Sequence, residues 1–378
     1  MQLNTPPPKL PERNPSAVVP ARILVVDDST FVRRTLRKIF QSQPGFTVIG
    51  EAGDGAEAIE RIVELNPDVV TLDIQMPGMD GFTALKAIGS RWPSLPVIVL
   101  ASSAQNGAGA AFEALSLGAF EFIDKSRCGS MDFHLLGAEI VTKVRAALAG
   151  RVPDSERTRS EHPSPMSEAS EARIELPSDV RMVCIGASTG GPQAIQLVLD
   201  RIPATFPFPL AIVQHMPVGF TAAFAERLNH SSPLEVKEAR QGDVFHPGRA
   251  MIAPAGRHLN FQQGLKGITA GLCDEPSTVS HIPSVDVLFS SAAESFGASV
   301  IAIVMTGMGS DGRDGARKLA TEGAFVIAEA EKSCAVYGMP KAVVEAGLAD
   351  ACWTSAEIAD RLARATRSGR SWSEDRHS

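Results

Sequence analysis

Ser188 lies in Gly186-Ala187-Ser188-Thr189-Gly190, a G-x-S-x-G segment placed between the apolar run Met182-Val183-Cys184-Ile185 and a helical pattern. A strand entering a helix through a tight glycine turn lifts a serine hydroxyl out of a sheet and exposes it to substrate. A serine alcohol is a poor nucleophile until a base takes its proton. Among the eight histidines, His162 falls in a polar stretch and His377 at the C-terminal end. His215 closes the strand-like run Leu210-Ala211-Ile212-Val213-Gln214, on the sheet edge expected to carry Ser188, whereas His258 and His281 compete from less regular sequence. The base needs an orienting carboxylate. Asp311 follows the buried-looking run Val300 to Val304 in a glycine-rich loop that can turn it back toward an imidazole; its alternative role is to N-cap the next helix.

The chain order Ser, His, Asp differs from the Ser, Asp, His order of α/β-hydrolases. The glycines at 186–191 do not have G-x-G-x-x-G spacing. The next strand ends in Gln214-His215, where a dinucleotide site would require an acid.

A second constellation precedes this one. Ligands of open parallel sheets collect at the carboxyl ends of the strands. The first strand candidate ends in Asp27-Asp28, the third in Asp73, the fourth in Ala101-Ser102-Ser103 and the fifth in Asp124-Lys125. Carboxylates gathered on neighbouring strand ends repel unless a cation lies between them, and an all-oxygen set favours Mg²⁺. A lysine and a hydroxyl beside such a metal suit a phosphoryl group. Helix capping by Asp28 or Ser29 alone does not account for the whole cluster.

These sites belong to separate elements of a 378-residue chain, longer than one core of ~150 residues. Strands are expected at 23–26, 47–51, 69–72, 97–101 and 120–123, with helices at 29–41, 56–65, 82–90, 107–117 and 133–149. A second alternating series has strands at 181–186, 208–214, 250–253, 299–304 and 324–328. Its helices fall at 191–201, 219–229, 284–296, 313–322, 338–346 and 356–367, and residues 231–278 are left as antiparallel strands or loops. Strand-helix alternation predicts an α/β protein with two doubly wound parallel-sheet domains. The expected layout is a disordered tail at 1–20, a first domain at 21–150, a flexible linker at 151–178, a second domain at 179–368 and a tail at 369–378.

The composition, 44% hydrophobic and 21% charged, is that of a soluble globular protein, and the net charge of −7 disfavours nucleic acid as a partner. Five scattered cysteines without C-x-x-C spacing predict neither a disulfide framework nor a zinc site. No stretch approaches the ~18 apolar residues of a membrane span, and the N-terminus lacks a signal-peptide core, so the expected location is cytoplasmic, with no membrane insertion.

Val25-Val26-Asp27-Asp28-Ser29, Thr71-Leu72-Asp73-Ile74-Gln75-Met76-Pro77-Gly78-Met79-Asp80-Gly81 and Phe122-Ile123-Asp124-Lys125 resemble a response-regulator receiver domain, over about residues 22–145. The resemblance implies a flavodoxin-like fold and phosphorylation of Asp73 by a histidine kinase. It further implies Mg²⁺ held by Asp27, Asp28 and Asp73, and phosphoryl contacts from Lys125 and Ser102. Ser126 stands where that family usually has proline. In the second domain, the segments around Ser188, Gln214-His215-Met216-Pro217, His281-Ile282-Pro283-Ser284-Val285-Asp286-Val287-Leu288-Phe289, Met305 to Gly312 and Tyr337-Gly338-Met339-Pro340-Lys341 resemble the CheB family of chemotaxis protein-glutamate methylesterases. This implies a Rossmann-like hydrolase domain with Ser188 as nucleophile, His215 as base and Asp311 as orienter. Backbone N–H groups near Thr189 and Met308 would form the oxyanion hole, with no cofactor in the hydrolase site. The implied substrates are methylated cytoplasmic helices of chemoreceptors, with deamidation of receptor glutamines as a second activity. The unmodified receiver is expected to block access to the triad.

Overall fold

In the computed structural model the described residues are 20–101, 107–126, 133–149, 176–177, 179–265, 267–277 and 281–365. The expected tails and linker fall almost wholly outside them, as does Ser102. The chain divides into two compact units, residues 1–153 and 154–378.

The first unit contains β1 (Ala21–Val26), α1 (Thr30–Gln41), β2 (Phe46–Ala52), α2 (Gly55–Leu65), β3 (Val69–Asp73), α3 (Gly81–Arg91), β4 (Val97–Ala101), α4 (Gly107–Ser116), β5 (Glu121–Asp124) and α5 (Phe133–Ala149). The sheet order is β2-β1-β3-β4-β5, and every pairing is parallel. Central strands covered on both faces must be apolar throughout. β3 and β4 are accordingly buried at every position. On one face Ile23 and Val25 pack with Leu36, Ile39 and Phe40 of α1 and with Leu136, Ile140 and Val144 of α5. Ser29 caps α1 by accepting from Val32 N–H, so the helix begins one residue later than expected. β5 is likewise shifted by one residue, which brings Asp124 into the strand.

The second unit begins with β6 (Met182–Ala187), α6 (Gly191–Arg201), β7 (Leu210–Gln214), α7 (Thr221–Ser231), β8 (Glu235–Glu238) and β9 (Arg249–Ile252). The antiparallel pair β10 (His258–Gly264) and β11 (Gly267–Cys273) follows. It continues through α8 (Val285–Phe296), β12 (Val300–Val304), α9 (Arg313–Thr321), β13 (Phe325–Glu329), α10 (Met339–Glu345), β14 (Ala351–Trp353) and α11 (Ser355–Ala363). The seven-stranded sheet runs β14-β13-β12-β6-β7-β9-β8, again with all pairings parallel. Its growth starts at β6, proceeds to one edge, then resumes on the other side with β12. The order therefore reverses beside β6, and a crevice opens there at the carboxyl ends of the strands.

Met182 and Cys184 on one face of β6 pack with Leu288, Phe289 and Ala292 of α8, so Cys184 is core. The stretch left open at 231–278 resolves into edge strand β8, strand β9 and the β10–β11 hairpin. β8 and β14 were not expected. β8 has the charged sequence Glu-Val-Lys-Glu, as a strand with a neighbour on one side only can, and β14, Ala-Cys-Trp, is apolar but only three residues long.

Helix α11 starts with a reciprocal cap: Glu357 N–H donates to Thr354 Oγ1 at 3.2 Å, and Thr354 N–H donates to Glu357 Oε2 at 2.7 Å. Thr354→Ala should lower the stability of the second unit by about 1 kcal/mol, measured by denaturant unfolding. An unchanged midpoint would show that the cap contributes nothing.

Candidate active site

The three central strands β12, β6 and β7 each deliver one predicted residue to the same edge. Register pairs Ala187 with Gln214, and His215 N–H donates to Ala187 O at 3.1 Å, so the residues that follow the two strands emerge side by side. Gln214 Nε2 braces the two turns by donating to Ser188 O at 2.8 Å and to His215 O at 3.1 Å. On the other side Ser188 N–H donates to Thr306 O at 3.0 Å. The turn at Ser188 is tight. Gly190 has φ +77°, and a Cβ there would lie 2.4 Å from Ala335 Cβ, so a side chain is excluded by both conformation and space.

His215 Nε2 and Asp311 Oδ2 are 2.8 Å apart, with side chains 8% and 11% exposed. Asp311 does not cap the helix that follows it. Its Oδ2 also accepts Val285 N–H at 2.8 Å, and Oδ1 accepts Asp286 N–H and Ser284 Oγ–H, each at 2.9 Å. The carboxylate thus sits on the N-terminus of α8, where backbone N–H groups and the helix dipole favour an anion. Burial opposes its charge. The His215 hydrogen bond and charge, with the N–H groups of Asp286 and Val285, nevertheless hold the carboxyl well below the usual carboxylate range.

His215 Nδ1 is buried without a hydrogen-bond partner, so Ser188 and His215 are not hydrogen-bonded here. Catalytic contacts of this kind often close only when substrate is bound. Of the competing histidines, His281 adjoins the pair, with a ring nitrogen within 4.8 Å of ligand atoms of both His215 and Asp311. His281 stacks on His215, with ring centroids 4.2 Å apart and planes 2° from parallel. Burial, then the charge of His215, pull its pKa down. His258 is fully buried and accepts Ser284 N–H at 3.1 Å, behind the start of α8.

Thr189 is buried and Met308 is 38% exposed. Among the described residues no hydrogen bond takes up the backbone N–H of either, so both donors are available. The Met308 loop is held by Met339 N–H and Gly338 N–H, which donate to Gly307 O at 2.8 and 3.1 Å.

Family models described as CheB methylesterase and as response regulator receiver domain match residues 183–362 and 23–129, respectively. Protein-glutamate methylesterase/protein-glutamine glutaminase 5 of Myxococcus xanthus is 44% identical over 335 residues, covering 88% of this chain and 94% of that one. The chain belongs to the CheB methylesterase family. The Lawsonia intracellularis protein-glutamate methylesterase/protein-glutamine glutaminase is also 44% identical, over 356 residues, covering 91% of this chain and 99% of that one. The crystal structure of the Thermotoga maritima CheB methylesterase catalytic domain is 39% identical, covering 50% of this chain and 99% of that one, with a TM-score of 0.48.

Sequence reasoning missed several groups of this CheB-family site. Gln214 was signalled by a polar residue closing an otherwise apolar strand. Thr306 locks the nucleophile turn by donating from Oγ1 to Thr189 O at 2.9 Å. The fully buried Glu329 at the end of β13 accepts Thr306 N–H at 2.8 Å, a contact that nothing local in the sequence announces.

The receiver pocket assembles Asp27, Asp28 and Asp73, whose carboxylate oxygens lie within 4.8 Å of one another. Lys125 Nζ donates to Asp73 Oδ2 and stands 3.5 Å from Asp27 Oδ2. Asp124, at the neighbouring strand end, is not in this cluster. Its Oδ1 accepts Ser126 N–H at 3.0 Å, a bond that the proline usual at that position could not make. Burial first, then the charge of Asp73, push Asp27 up to about 6, and burial also raises Asp73. Asp27 Oδ2 is buried without a hydrogen-bond partner. An all-oxygen cluster with such an oxygen fits a hard divalent cation. A carboxylate must lose its proton to bind metal. Mg²⁺ affinity, measured by calorimetric titration, should therefore rise as pH increases through about 6. Asp27→Asn should weaken binding and flatten that rise. A flat profile in the unsubstituted protein would contradict the assignment.

Proposed function

We propose that Ser188, His215 and Asp311 are the nucleophile, base and orienting acid of a phosphorylation-regulated protein-glutamate methylesterase, which hydrolyses glutamate methyl esters on chemoreceptors to glutamate and methanol. The observation that carries this reading is the imidazole of His215: Nε2 is committed to Asp311 at 2.8 Å, while Nδ1 is buried without a hydrogen-bond partner, on a residue whose N–H pairs with Ala187 O just before Ser188.

With the Nε2 proton donated to Asp311, Nδ1 holds the free lone pair and is the basic nitrogen. As Ser188 Oγ bonds to the ester carbonyl carbon, Nδ1 takes the hydroxyl proton. The carbonyl oxygen gains negative charge opposite the N–H groups of Thr189 and Met308. Such fixed donors favour the developing charge at little reorganisation cost. The C–OCH₃ bond then breaks, and the Nδ1 proton passes to the leaving methoxide, giving methanol. Water attacks the glutamyl ester of Ser188, loses its proton to Nδ1, and the serine leaves with that proton, restoring a receptor carboxylate. The same steps on a glutamine side chain release ammonia, consistent with the glutaminase activity in the names of the relatives.

Asp73 is the proposed phosphoryl acceptor from a histidine kinase, with Asp27 and Asp28 beside it for Mg²⁺ and Lys125 for a phosphoryl oxygen. A bound Mg²⁺ would offset negative charge on the phosphoryl group. Ser102, the proposed hydroxyl partner, lies outside the described residues. The proposed substrates are cytoplasmic helices of chemoreceptors, reached from the cytoplasm. Among the described residues no helix is long and apolar enough to cross a membrane.

Methanol release from membranes bearing methylated receptors tests this reading. Ser188→Ala should abolish release, and Asp311→Asn should lower turnover by on the order of 10⁴. Full demethylation by Ser188→Ala would overturn the assignment. Asp73→Asn should retain basal release but lose stimulation by a small-molecule phosphodonor; persistent stimulation would place the phosphorylation site elsewhere.

A further inference from the structure

The start of α8 and the start of α9 exchange carboxylates. Asp311, just before α9, accepts the N–H groups of Val285 and Asp286, the first two residues of α8. In return Asp286 Oδ1 accepts Gly312 N–H at 3.0 Å and Gly315 N–H at 2.7 Å, at the start of α9. Gly312 itself provides no side-chain cap for α9 and has φ +97°. The two helices also pack without slack: a Cβ on Gly315 would lie 2.6 Å from Phe289 Cβ and 2.9 Å from Asp286 O. Each helix end therefore receives the anion that the other supplies.

We propose that Asp286 is a positioning residue for the esterase reaction: it fixes the turn at Gly312, and thereby the Asp311 carboxylate that holds His215. This inference rests on the function proposed above. The mechanical part follows from the bond pattern. Asp311 is one residue before Gly312, whose N–H is tied to Asp286. If Asp286 is truncated, Gly312 and Gly315 lose their acceptor, and the turn is free to rotate Asp311 away from Nε2. The electrostatic part follows from charge: the ionised Asp286 carboxylate is a stronger acceptor for the two N–H groups than a neutral oxygen would be. The charged groups facing Asp286 are Asp311 on the loop, with Asp314 and Arg313 at the start of α9. Burial, and the charges of Asp311 and Asp314, push its own pKa up to about 6.

The test uses the full chain and three variants, with methanol release from methylated receptor membranes and amide hydrogen exchange at Gly312 and Gly315 followed by NMR. Asp286→Ala should lower kcat by ~10- to 100-fold with KM unchanged, the scale expected of a misplaced group outside the reacting atoms. Asp286→Asn keeps an oxygen for both N–H groups but removes the charge. It should retain most of kcat, so that the conservative variant rescues what truncation loses. Thr354→Ala, in the capping box of α11, should lose stability without losing kcat. Wild-type kcat in Asp286→Ala would overturn the inference, as would an equal kcat loss in Thr354→Ala at matched stability. Unchanged amide exchange at Gly312 and Gly315 in Asp286→Ala would overturn the inference whether or not esterase activity is observed. Absence of methanol release from the unsubstituted protein would instead count against the esterase reading alone.

Discussion

The hydrogen bond between Asp311 and His215 depends on keeping a carboxylate ionised at a site that is only 11% exposed. Burial alone would raise its pKa. The structure offsets burial with donors: the Nε2 proton of His215, the Val285 and Asp286 N–H groups and the Ser284 hydroxyl. Three donors at one helix end fix the orientation of the carboxylate, and the imidazole inherits it. The stability gained this way is present above the ordinary carboxylate pKa and is lost as pH falls below it, because the folded-state pKa is depressed.

Both units use the same geometric device for different chemistry. A parallel sheet covered by helices places every strand's carboxyl end on one edge, so residues far apart in sequence meet without any of them needing a long side chain. In the receiver that edge gathers Asp27, Asp28 and Asp73, an excess of negative charge only partly offset by Lys125. In the second unit the edge gathers a hydroxyl, an imidazole and a carboxylate, and the carboxylate charge is met by donors at the N-terminus of α8. The first arrangement suits a cation and a phosphoryl group; the second suits proton transfer to and from a serine.

Much of this was legible in the sequence because the parallel strands are nearly continuous apolar runs and the candidate site residues interrupt them at their ends. Ser188, His215, Asp311 and Asp73 all stand where a run such as Leu210–Val213 or Val300–Val304 gives way to polar residues and glycine. The edge strands β8 and β14 were not legible: β8 is charged and partly exposed, and β14, though apolar, is only three residues long. The exchange between Asp286 and Asp311 was also hidden. An acid before a helix reads as its own cap, and only the packing of α8 on α9 shows that each carboxylate serves the other helix. For the same reason Glu329 and Thr306 passed unnoticed: their roles are set by neighbouring strands rather than by neighbouring residues.

The claim on which the rest depends is that Asp311 claims Nε2 of His215 and leaves Nδ1 as the base. Nitrogen-15 spectroscopy of imidazole-labelled protein, with His215 assigned by comparison with a His215→Gln variant, reports the tautomer directly. The account predicts that neutral His215 carries its proton on Nε2, with an unprotonated Nδ1, and that Asp311→Asn disturbs this preference. A neutral His215 protonated at Nδ1 in the unsubstituted protein would contradict it.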